Sequence, residues 1–361
     1  MSTRQPKRIL VAPLDWGLGH TTRCIPLIAC MLRQQQVPVF AGNEQQRKYI
    51  EETCSGIETI HLDGYDVQYS RLNRVAQLGL MLQMPGILRR INAEHEWLGN
   101  VVHKLGINGI ISDNRYGLHH PDIPNVLITH QLRVQTGMGH MADNMVQRLH
   151  YRYLRSFNTI WIPDTLQAPG LGNELSHSTP PGQDTQYIGL LSRFAVEQSA
   201  DGNSLLVLLS GPEPQRTALS DLLWLQVCKL NMPVIFVEGS SLAQRSHIPG
   251  HIIWHQRLTH THLALLLQRA SMIVCRSGYS TLMDLAALRK KAILIPTPGQ
   301  TEQEYLARTL HQEGIWPMAR QNGFNLLQEL EKARSFPYCS IAATSDFEQY
   351  EPVLNSWLQR L

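Results

Sequence analysis

One stretch of the sequence decides the fold: Ile273-Val274-Cys275-Arg276-Ser277-Gly278-Tyr279-Ser280-Thr281-Leu282-Met283-Asp284. Its first residues are uniformly apolar, which is typical of a strand buried on both faces of a parallel sheet. Arg276-Ser277-Gly278 interrupts this run, and the helical spacing of apolar residues begins at once. The stretch therefore predicts a strand–turn–helix step of an α/β protein, with the amides of the helix start aimed at one point.

The same step recurs along the whole chain. In the amino-terminal half the predicted strands are Arg8–Pro13, Val37–Phe40, Ile107–Ser112, Asn125–Thr129 and Ile160–Ile162. In the carboxyl-terminal half they are Leu205–Leu209, Val234–Val237, His251–Trp254, Met272–Cys275 and Ala292–Ile295. Helical patterns separate them, so the sequence predicts an α/β fold: two Rossmann-like, doubly wound parallel-sheet domains facing across a cleft.

The chain length agrees with two domains. At 361 residues it exceeds the usual ~150 residues of one domain about twofold. Residues 167–186 are polar, aperiodic and rich in Gly, Pro, Ser and Thr, which predicts a linker. We therefore expect an amino-terminal domain over 1–185, a carboxyl-terminal domain over 186–345 and a last helical segment over 346–361.

The composition excludes several classes of protein. The chain is 43% hydrophobic and 17% charged with a net charge of +3, so neither disorder nor a nucleic-acid partner is expected. No apolar run reaches the ~18 residues of a membrane span, and the start does not read as a secretory signal. The six cysteines form no Cys-x-x-Cys pair, which predicts a reduced, cytoplasmic protein.

A glycine-rich loop follows the first strand. Gly17, Leu18 and Gly19 let the backbone turn tightly near a ligand, and His20 follows them. A histidine at the carboxyl end of a strand can act as a general base near neutral pH. The alternative is that His20 only caps the helix or binds a backbone carbonyl. The loop lacks both the dinucleotide fingerprint and a Walker motif.

The loop after Cys275 predicts a diphosphate site, because amides, a helix dipole and hydroxyls converge there without a metal. Its predicted ligands are Arg276, Ser277, Gly278, Tyr279, Ser280 and Thr281, with Ser210 and Gly211 reaching in from an earlier strand end. Asp284, one turn into the helix, is placed to bind a ribose diol. Thr281-x-x-Asp284 equally fits a capping box.

Further polar residues follow other predicted strands. Gln303 and Glu304 are suited to hydrogen-bond sugar hydroxyls, although acidic residues are also common in a first helical turn. Asp113 and His130-Gln131 each follow a strand and are expected to orient an acceptor or assist His20, or else to fill the loop.

Two other patterns have simpler explanations. The histidine cluster 251, 255, 260 and 262 lacks the spacing of a strong metal motif, so no metal is expected. Leu78–Leu88 is rich in Leu and Met and precedes Arg89-Arg90. Such a segment is suited to peripheral contact with a membrane surface, but helical Met-Leu stripes are more often core.

Together these loops resemble the GT-B glycosyltransferases, most closely family 28, which includes the lipid-II-forming N-acetylglucosaminyltransferase. Gly17–His20 resembles the family's amino-terminal glycine loop, Cys275–Asp284 its donor motif, and Pro296–Tyr305 the loop that reads the donor sugar. With the helix and strand between them, the last two segments span residues 275–305 in register. Gly17–Cys24 also resembles the start of a same-fold relative that hydrolyses a UDP-sugar in nonulosonate synthesis.

The resemblance implies roles for these residues. The donor diphosphate would lie on residues 277–281, the ribose on Asp284, where the family more often has Glu, and the base near His260 and Leu263. Gln303 and Glu304 would touch the donor sugar, where the lipid-II enzyme has two Gln. The last helix would return to the amino-terminal domain.

The expected function is a metal-independent, inverting glycosyltransferase without a cofactor, which moves a sugar from a UDP-linked donor to an acceptor hydroxyl. His20 would be the base and Asp113 its assistant. The acceptor is left open between a lipid, a polysaccharide and a small molecule. The alternatives are a nucleotide-sugar hydrolase or epimerase of the same fold, or a non-catalytic binder.

Overall fold

The structure, a computed structural model, describes residues 5–65, 76–180, 182–194, 202–240, 242–341 and 344–361. The chain divides into two compact units. The first unit runs to Arg193 and takes up the chain again over Thr344–Leu361, and the second unit is centred on Phe194–Ala343.

In the part of the first unit that the structure describes, seven parallel strands form one sheet with helices between them. The strands are β1 (Arg8–Pro13), β2 (Val37–Gly42), β3 (Glu58–His61), β4 (Gly109–Asp113), β5 (Asn125–Ile128), β6 (Thr159–Ile162) and β7 (Asp184–Tyr187). The helices are α1 (Leu18–Arg33), α2 (Glu44–Thr53), α3 (Ala76–Leu105) and α4 (His140–Leu154), and α10 (Tyr350–Gln359) is added by the returning chain. The strand order is β3-β2-β1-β4-β5-β6-β7.

The second unit repeats this plan on a smaller scale. Its described part contains five parallel strands, β8 (Ser204–Leu208), β9 (Val234–Val237), β10 (Ile252–His255), β11 (Ala270–Cys275) and β12 (Ala292–Leu294), in the order β10-β9-β8-β11-β12. Its helices are α5 (Gln215–Val227), α6 (His260–Arg269), α7 (Tyr279–Ala287), α8 (Thr301–Gln312) and α9 (Leu326–Arg334). Two Rossmann-like, doubly wound parallel sheets are therefore confirmed.

The extent to which each strand is buried explains which strands could be predicted from the sequence. β1, β5 and β9 are apolar over nearly their whole length and lie inside their sheets, with helices packed over them. The two strands that the sequence analysis missed, β3 and β7, are the edge strands of the first sheet and read Glu-Thr-Ile-His and Asp-Thr-Gln-Tyr. An edge strand needs less apolar surface, so it lacks the signal by which buried strands are recognised.

The polar segment 167–186 is not a linker, and its prediction as one was wrong. The buried Asp164 carboxylate accepts hydrogen bonds from the amides of Leu171 and Gly172, both at 2.8 Å, and from the hydroxyl of Ser176 at 2.5 Å. The segment then continues into β7, which pairs with β6. The expected boundary between 185 and 186 therefore falls inside a strand of the first sheet.

In both sheets the direction in which successive strands are added reverses at the central pair of strands. The chain leaves β1 towards β2 on one side, whereas β4 leads to β5 on the other, and β8 and β11 form the corresponding pair in the second sheet. Ligands of open α/β sheets bind outside the carboxyl ends of strands at this switch point, because the loops there diverge. A ligand site is therefore expected among the residues that follow β1, β4, β8 and β11.

The last helix, α10, packs on the first unit. It contacts α1, Arg33 pairs with Glu351, and the indole of Trp357 lies edge-on to that of Trp161 at a centroid distance of 5.7 Å. A Cβ added at Gly109 in β4 would lie 2.6 Å from the Trp357 ring. The absence of a side chain at Gly109 thus creates the space that Trp357 fills.

The substitution Gly109→Ala is expected to lower the free energy of unfolding by about 1–3 kcal/mol, since a Cβ there overpacks the contact with Trp357. The matched control is Gly99→Ala on α3, where a Cβ meets nothing within 4 Å. This control should be neutral or slightly stabilising, because alanine favours a helix. Chemical unfolding followed by circular dichroism measures both, and equal effects would contradict the proposed packing.

Candidate active site

The loop after β1 places His20 in the first turn of α1. Gly17 is the residue before the helix and has φ +84°, a conformation that favours glycine, and no side chain caps this end. The expectation that His20 serves only as a cap is therefore wrong. Its ring instead points at β4, where Nδ1 lies 3.1 Å from Oδ1 of Asp113.

Asp113 is the fully buried centre of a polar cluster in the first unit. It ends β4, the neighbour of β1 across the switch point. Arg23, one helical turn after His20, directs Nε at Oδ2 of Asp113 at 2.5 Å and Nη2 at Oδ1. Arg23 Nη2 also lies 2.9 Å from His20 Nδ1, and Nη1 lies 3.4 Å from Nδ1 of His130. The structure thus brings together three predicted residues, His20, Asp113 and His130, around one that was not predicted.

The cluster controls the charge of its members. Despite its burial, the pKa of Asp113 is lowered to about 2, because Arg23 and His20 stabilise the carboxylate. The pKa of His20 is lowered from its ordinary value, chiefly by burial and then by the charge of Arg23, against the opposing effect of Asp113. At neutral pH the cluster therefore contains an ion pair and an uncharged imidazole, which can accept a proton.

A second buried histidine holds the loop that carries His130 and Gln131. His150 lies on α4. Its Nε2 is 2.7 Å from the carbonyl oxygen of Gln131, and its Nδ1 is 3.1 Å from the hydroxyl of Tyr116. Nε2 therefore carries the proton, and Nδ1 accepts from Tyr116. Burial lowers the pKa of His150 to about 4. Gln131 is thus held through its backbone.

Gln46 on α2 was also missed by the sequence analysis and fixes the other side of the His20 loop. It is buried, and its Nε2 donates to the carbonyl of Leu14 at 3.1 Å and to the hydroxyl of Thr21 at 3.0 Å. A polar residue inside an exposed-looking helix gives no sequence signal of this contact. The spacing His20-x-x-Arg23, in contrast, does place both side chains on one helix face.

In the second unit, the predicted diphosphate loop lies at the switch point between β8 and β11. Gly278 is the residue before α7, and the first bond of the helix runs from the amide of Leu282 to the carbonyl of Gly278. The amides of residues 279–281 precede this bond, as an anion site at a helix start requires. Thr281 lies inside the helix, so the capping-box interpretation of Thr281 and Asp284 is wrong.

Two predicted phosphate ligands are engaged within the protein itself. The guanidinium of buried Arg276 donates to the carbonyls of Gln215, Ile295 and Pro296 at 2.9, 3.2 and 3.1 Å. Burial lowers its pKa to about 10. The hydroxyl of Ser277 donates to the carbonyl of Gln303 at 2.9 Å. Both side chains therefore hold neighbouring loops in place around the α7 start.

The predicted sugar-contacting residues shape their own loop. Gln303 accepts from the amide of Thr297 at 2.9 Å, and Glu304 accepts from the amide of Gly299 at 2.9 Å. Since Ser277 binds the backbone of Gln303, the loop after β12 is joined to the loop after β11. This junction brings the predicted phosphate and sugar residues together.

The remaining predicted residues lie on three other elements of the second unit. Ser210 and Gly211 (φ +101°) follow β8, whose Leu208 is paired with Cys275 of β11. His260 and Leu263 lie in the first turns of α6, and the His260 ring stacks on Phe194 at 5.0 Å between centroids. Asp284 is buried on α7.

No group of three or more His, Cys, Asp or Glu side chains in the described ranges is arranged to hold a metal ion. No helix within the same ranges is long and apolar enough to cross a membrane. The side chains of Leu78–Leu82, the first part of the proposed membrane-contact segment, lie outside the described residues.

Comparison with known proteins agrees with this geometry. Residues 229–346 match the family model of the glycosyltransferase family 28 C-terminal domain. This segment is therefore similar to a family 28 C-terminal domain. It includes the loop after β11, the α7 start and the loop after β12.

Two curated relatives are both named UDP-N-acetylglucosamine–N-acetylmuramyl-(pentapeptide) pyrophosphoryl-undecaprenol N-acetylglucosamine transferase. The protein of Desulforudis audaxviator is 46% identical over 72 residues, 18% of this chain and 18% of the relative. That of Synechococcus is 27% identical over 168 residues, 42% of this chain and 45% of the relative. The chain thus matches less than half the length of these relatives.

Solved structures extend the likeness to the whole fold. The glycosyltransferase SnogD from Streptomyces nogalater has a TM-score of 0.66 at 15% identity, with 99% of this chain and 100% of that chain covered. UGT89C1 from Arabidopsis thaliana, solved with UDP-L-rhamnose, has a TM-score of 0.65 at 11% identity over 98% and 100%. The fold is the GT-B fold of these glycosyltransferases, and nearly all the residues that match the family 28 model lie in its second unit.

The substitution Arg276→Met is expected to lower the free energy of unfolding by about 3 kcal/mol, because three backbone carbonyls lose their donor. Arg320→Met, at an exposed arginine of the same unit, is the control and should be nearly neutral. Urea unfolding measures both. A neutral Arg276→Met would show that its guanidinium does not hold the loops.

Stability is expected to fall as the pH falls from about 6.5 to 4. The folded pKa of His150 is about 4 and its ordinary value is 6.5, so the unfolded chain binds more protons within this window. The loss approaches about 3 kcal/mol at the lower end, and His20 adds to it with the same sign.

Urea unfolding at a series of pH values tests this expectation. His150→Gln should weaken the dependence without abolishing it, since burial lowers the pKa of His119 to about 4 as well. His140→Gln, at an exposed position of the same helix, should retain it in full. A wild-type stability that does not change across the window would contradict the assignment.

Proposed function

We propose that the protein is a metal-independent glycosyltransferase that transfers a sugar from a nucleotide-sugar donor to an acceptor hydroxyl with inversion. The observation that carries the proposal is the start of α7, which lies at a topological switch point inside the family 28 domain. A helix start there offers amides and a positive dipole end to a diphosphate. No cofactor is invoked, since the nucleotide sugar is itself the substrate.

The donor is proposed to be UDP-linked. The relatives act on UDP-N-acetylglucosamine by name, and one structural neighbour was solved with UDP-L-rhamnose. Asp284 would bind the ribose, His260 and Leu263 would flank the base, and Ser210-Gly211 would approach the phosphates. Gln303 and Glu304 would contact the sugar with the hydrogen-bonding capacity that their loop contacts leave.

The first unit is proposed to supply the base. We assign to His20 the tautomer with the proton on Nδ1, in which Oδ1 of Asp113 accepts from Nδ1. Arg23 Nη2 then donates to Oδ1 and not to the ring, so Nε2 keeps its lone pair. Nε2 takes the proton of the acceptor hydroxyl while the oxygen attacks the anomeric carbon. The bond from that carbon to the diphosphate oxygen breaks, and the departing negative charge is stabilised by the amides at the α7 start. The products are the glycoside, the nucleoside diphosphate and protonated His20.

The acceptor is proposed to carry its hydroxyl to the loop formed by Gly17, Leu18 and Gly19 together with His130-Gln131. The named relatives use a pyrophosphoryl-undecaprenol acceptor, so lipid-linked sugars are the first compounds to test. Polysaccharides and small molecules follow. Contact of Leu78–Leu88 with a membrane surface would accompany a lipid acceptor.

The expected result of a ligand panel is a rise in melting temperature with UDP that EDTA does not abolish, since a ligand that binds the folded state stabilises it. GDP, TDP, CDP and NAD serve as comparison ligands. Donor consumption is then followed with and without acceptors. Consumption without any acceptor would favour the hydrolase, and no stabilisation by any nucleotide would contradict the donor site.

His20→Gln should lower turnover by about 10²-fold or more with little change in UDP affinity, because a general base acts only in the chemical step. Asp284→Ala should instead weaken UDP binding, whereas Glu331→Ala, exposed on α9 of the same unit, should not. Calorimetry and initial rates measure these effects. Equal loss of turnover and affinity in His20→Gln would contradict the base role.

A further inference from the structure

Arg23 belongs to the polar cluster around Asp113, and the proposed reaction assigns it no role. Arg23 is 2% exposed and lies between three groups from different elements of the first unit. These are His20 on its own helix, Asp113 at the end of β4 and His130 after β5. A planar guanidinium offers five N–H donors in a fixed geometry, which few other side chains can match.

We propose that Arg23 is a positioning residue, which clamps the Asp113 carboxylate against the His20 ring and joins the His130 loop to the same point. The inference rests on the proposed function for the base role of His20. The clamp itself rests on the hydrogen bonds that Arg23 makes in the structure. Nε and Nη2 engage the two carboxylate oxygens from one side, and Nη1 extends to His130. The carboxylate therefore cannot turn away from His20 Nδ1.

The clamp has an electrostatic consequence for His20. In a simple histidine–aspartate pair, the carboxylate stabilises the protonated ring. Here the negative charge of Asp113 is already balanced by Arg23. Both partners of the pair are shielded from solvent, since the Asp113 side chain is 0% exposed and the His20 side chain is 16% exposed. A proton on His20 would add an unbalanced charge to the cluster. The resting ring is therefore kept neutral and able to accept a proton.

Every charged or titratable group that the structure places against His20 enters this balance. Arg23 and the neighbouring His130 disfavour a positive ring, and Asp113 favours it. The buried thiol of Cys24 lies 4.0 Å from Asp113, and burial raises its pKa well above the ordinary value, so it stays uncharged. Arg23 is thus the one fixed positive charge of the described cluster.

Titration of His20 by NMR tests the inference without any substrate. Protein labelled with ¹³C-histidine is titrated in its nucleotide-free form, and the His20 Hε1 signal is assigned from its absence in His20→Gln. Arg23→Gln should raise the His20 midpoint by about one pH unit, because a positive neighbour is removed while Asp113 remains. Arg33→Gln, at the exposed last residue of the same helix, is the control and should not move it.

Arg23→Lys separates the charge from the geometry. It keeps the positive charge, so the His20 midpoint should stay near that of the wild type. It lacks the fork that engages both carboxylate oxygens and His130, so turnover should fall at least about tenfold with unchanged UDP affinity. A folded Arg23→Gln with an unmoved or lowered midpoint would overturn the inference, as would an Arg23→Lys with full turnover.

The two proposals fail in different ways. If the wild-type protein neither transfers nor hydrolyses a nucleotide sugar, the proposed function fails, while the titration still decides whether Arg23 governs His20. If the wild type is active and neither variant behaves as stated, the function stands and Arg23 is only a packing residue. Arg23→Lys retains the buried ion pair, so it is the variant to use if Arg23→Gln does not fold.

Discussion

The reversal of strand order at the centre of each sheet is the constraint on which the rest of the structure depends. Because the connections leave β1 and β4 in opposite directions, neither loop covers the carboxyl end of the other strand. The first unit places His20 and Asp113 at this point, and the second unit places Gly211 and the α7 start at the equivalent one. The same backbone plan thus yields a candidate proton-accepting site in one unit and a candidate anion site in the other.

The chemistry that occupies each switch point is set by buried polar contacts. In the first unit, Arg23 and Asp113 form an ion pair that is stable in the interior only because its hydrogen-bonding groups are matched to one another. In the second unit, Arg276 performs a comparable task with backbone carbonyls as its partners. Both arginines are engaged with other groups of the protein, so the proposed ligand contacts fall to backbone amides, His20 and the hydroxyls of the α7 start.

The sequence predicts the fold well where a strand is uniformly buried, and poorly where polar side chains make the contacts that hold a segment in place. Val234–Val237 and Arg8–Pro13 were predicted with the bounds that the structure has, because central strands must be apolar on both faces. The edge strand β7 lies in the segment that the sequence predicts as a linker, because β7 is polar and the residues before it are held by the buried Asp164 carboxylate and not by apolar packing.

The candidate site shows the same division. Its strand-end residues could be predicted, since parallel strands end at one edge of a sheet and His20, Asp113 and His130 each follow one. The contacts of Arg23, Gln46 and Arg276 could not, because they depend on which side chains face each other in space. The roles of the donor residues remain proposals that rest on the family 28 likeness and on the geometry of α7.

The central claim is that the α7 start binds the diphosphate of a nucleotide. Hydrogen–deuterium exchange of the intact protein with and without saturating UDP tests it most directly, because bound phosphate oxygens protect the amides that they engage. The account predicts slower exchange in peptides that cover residues 276–284, with a smaller effect over 296–304. Unchanged exchange there, or protection confined to residues 17–23, would contradict it.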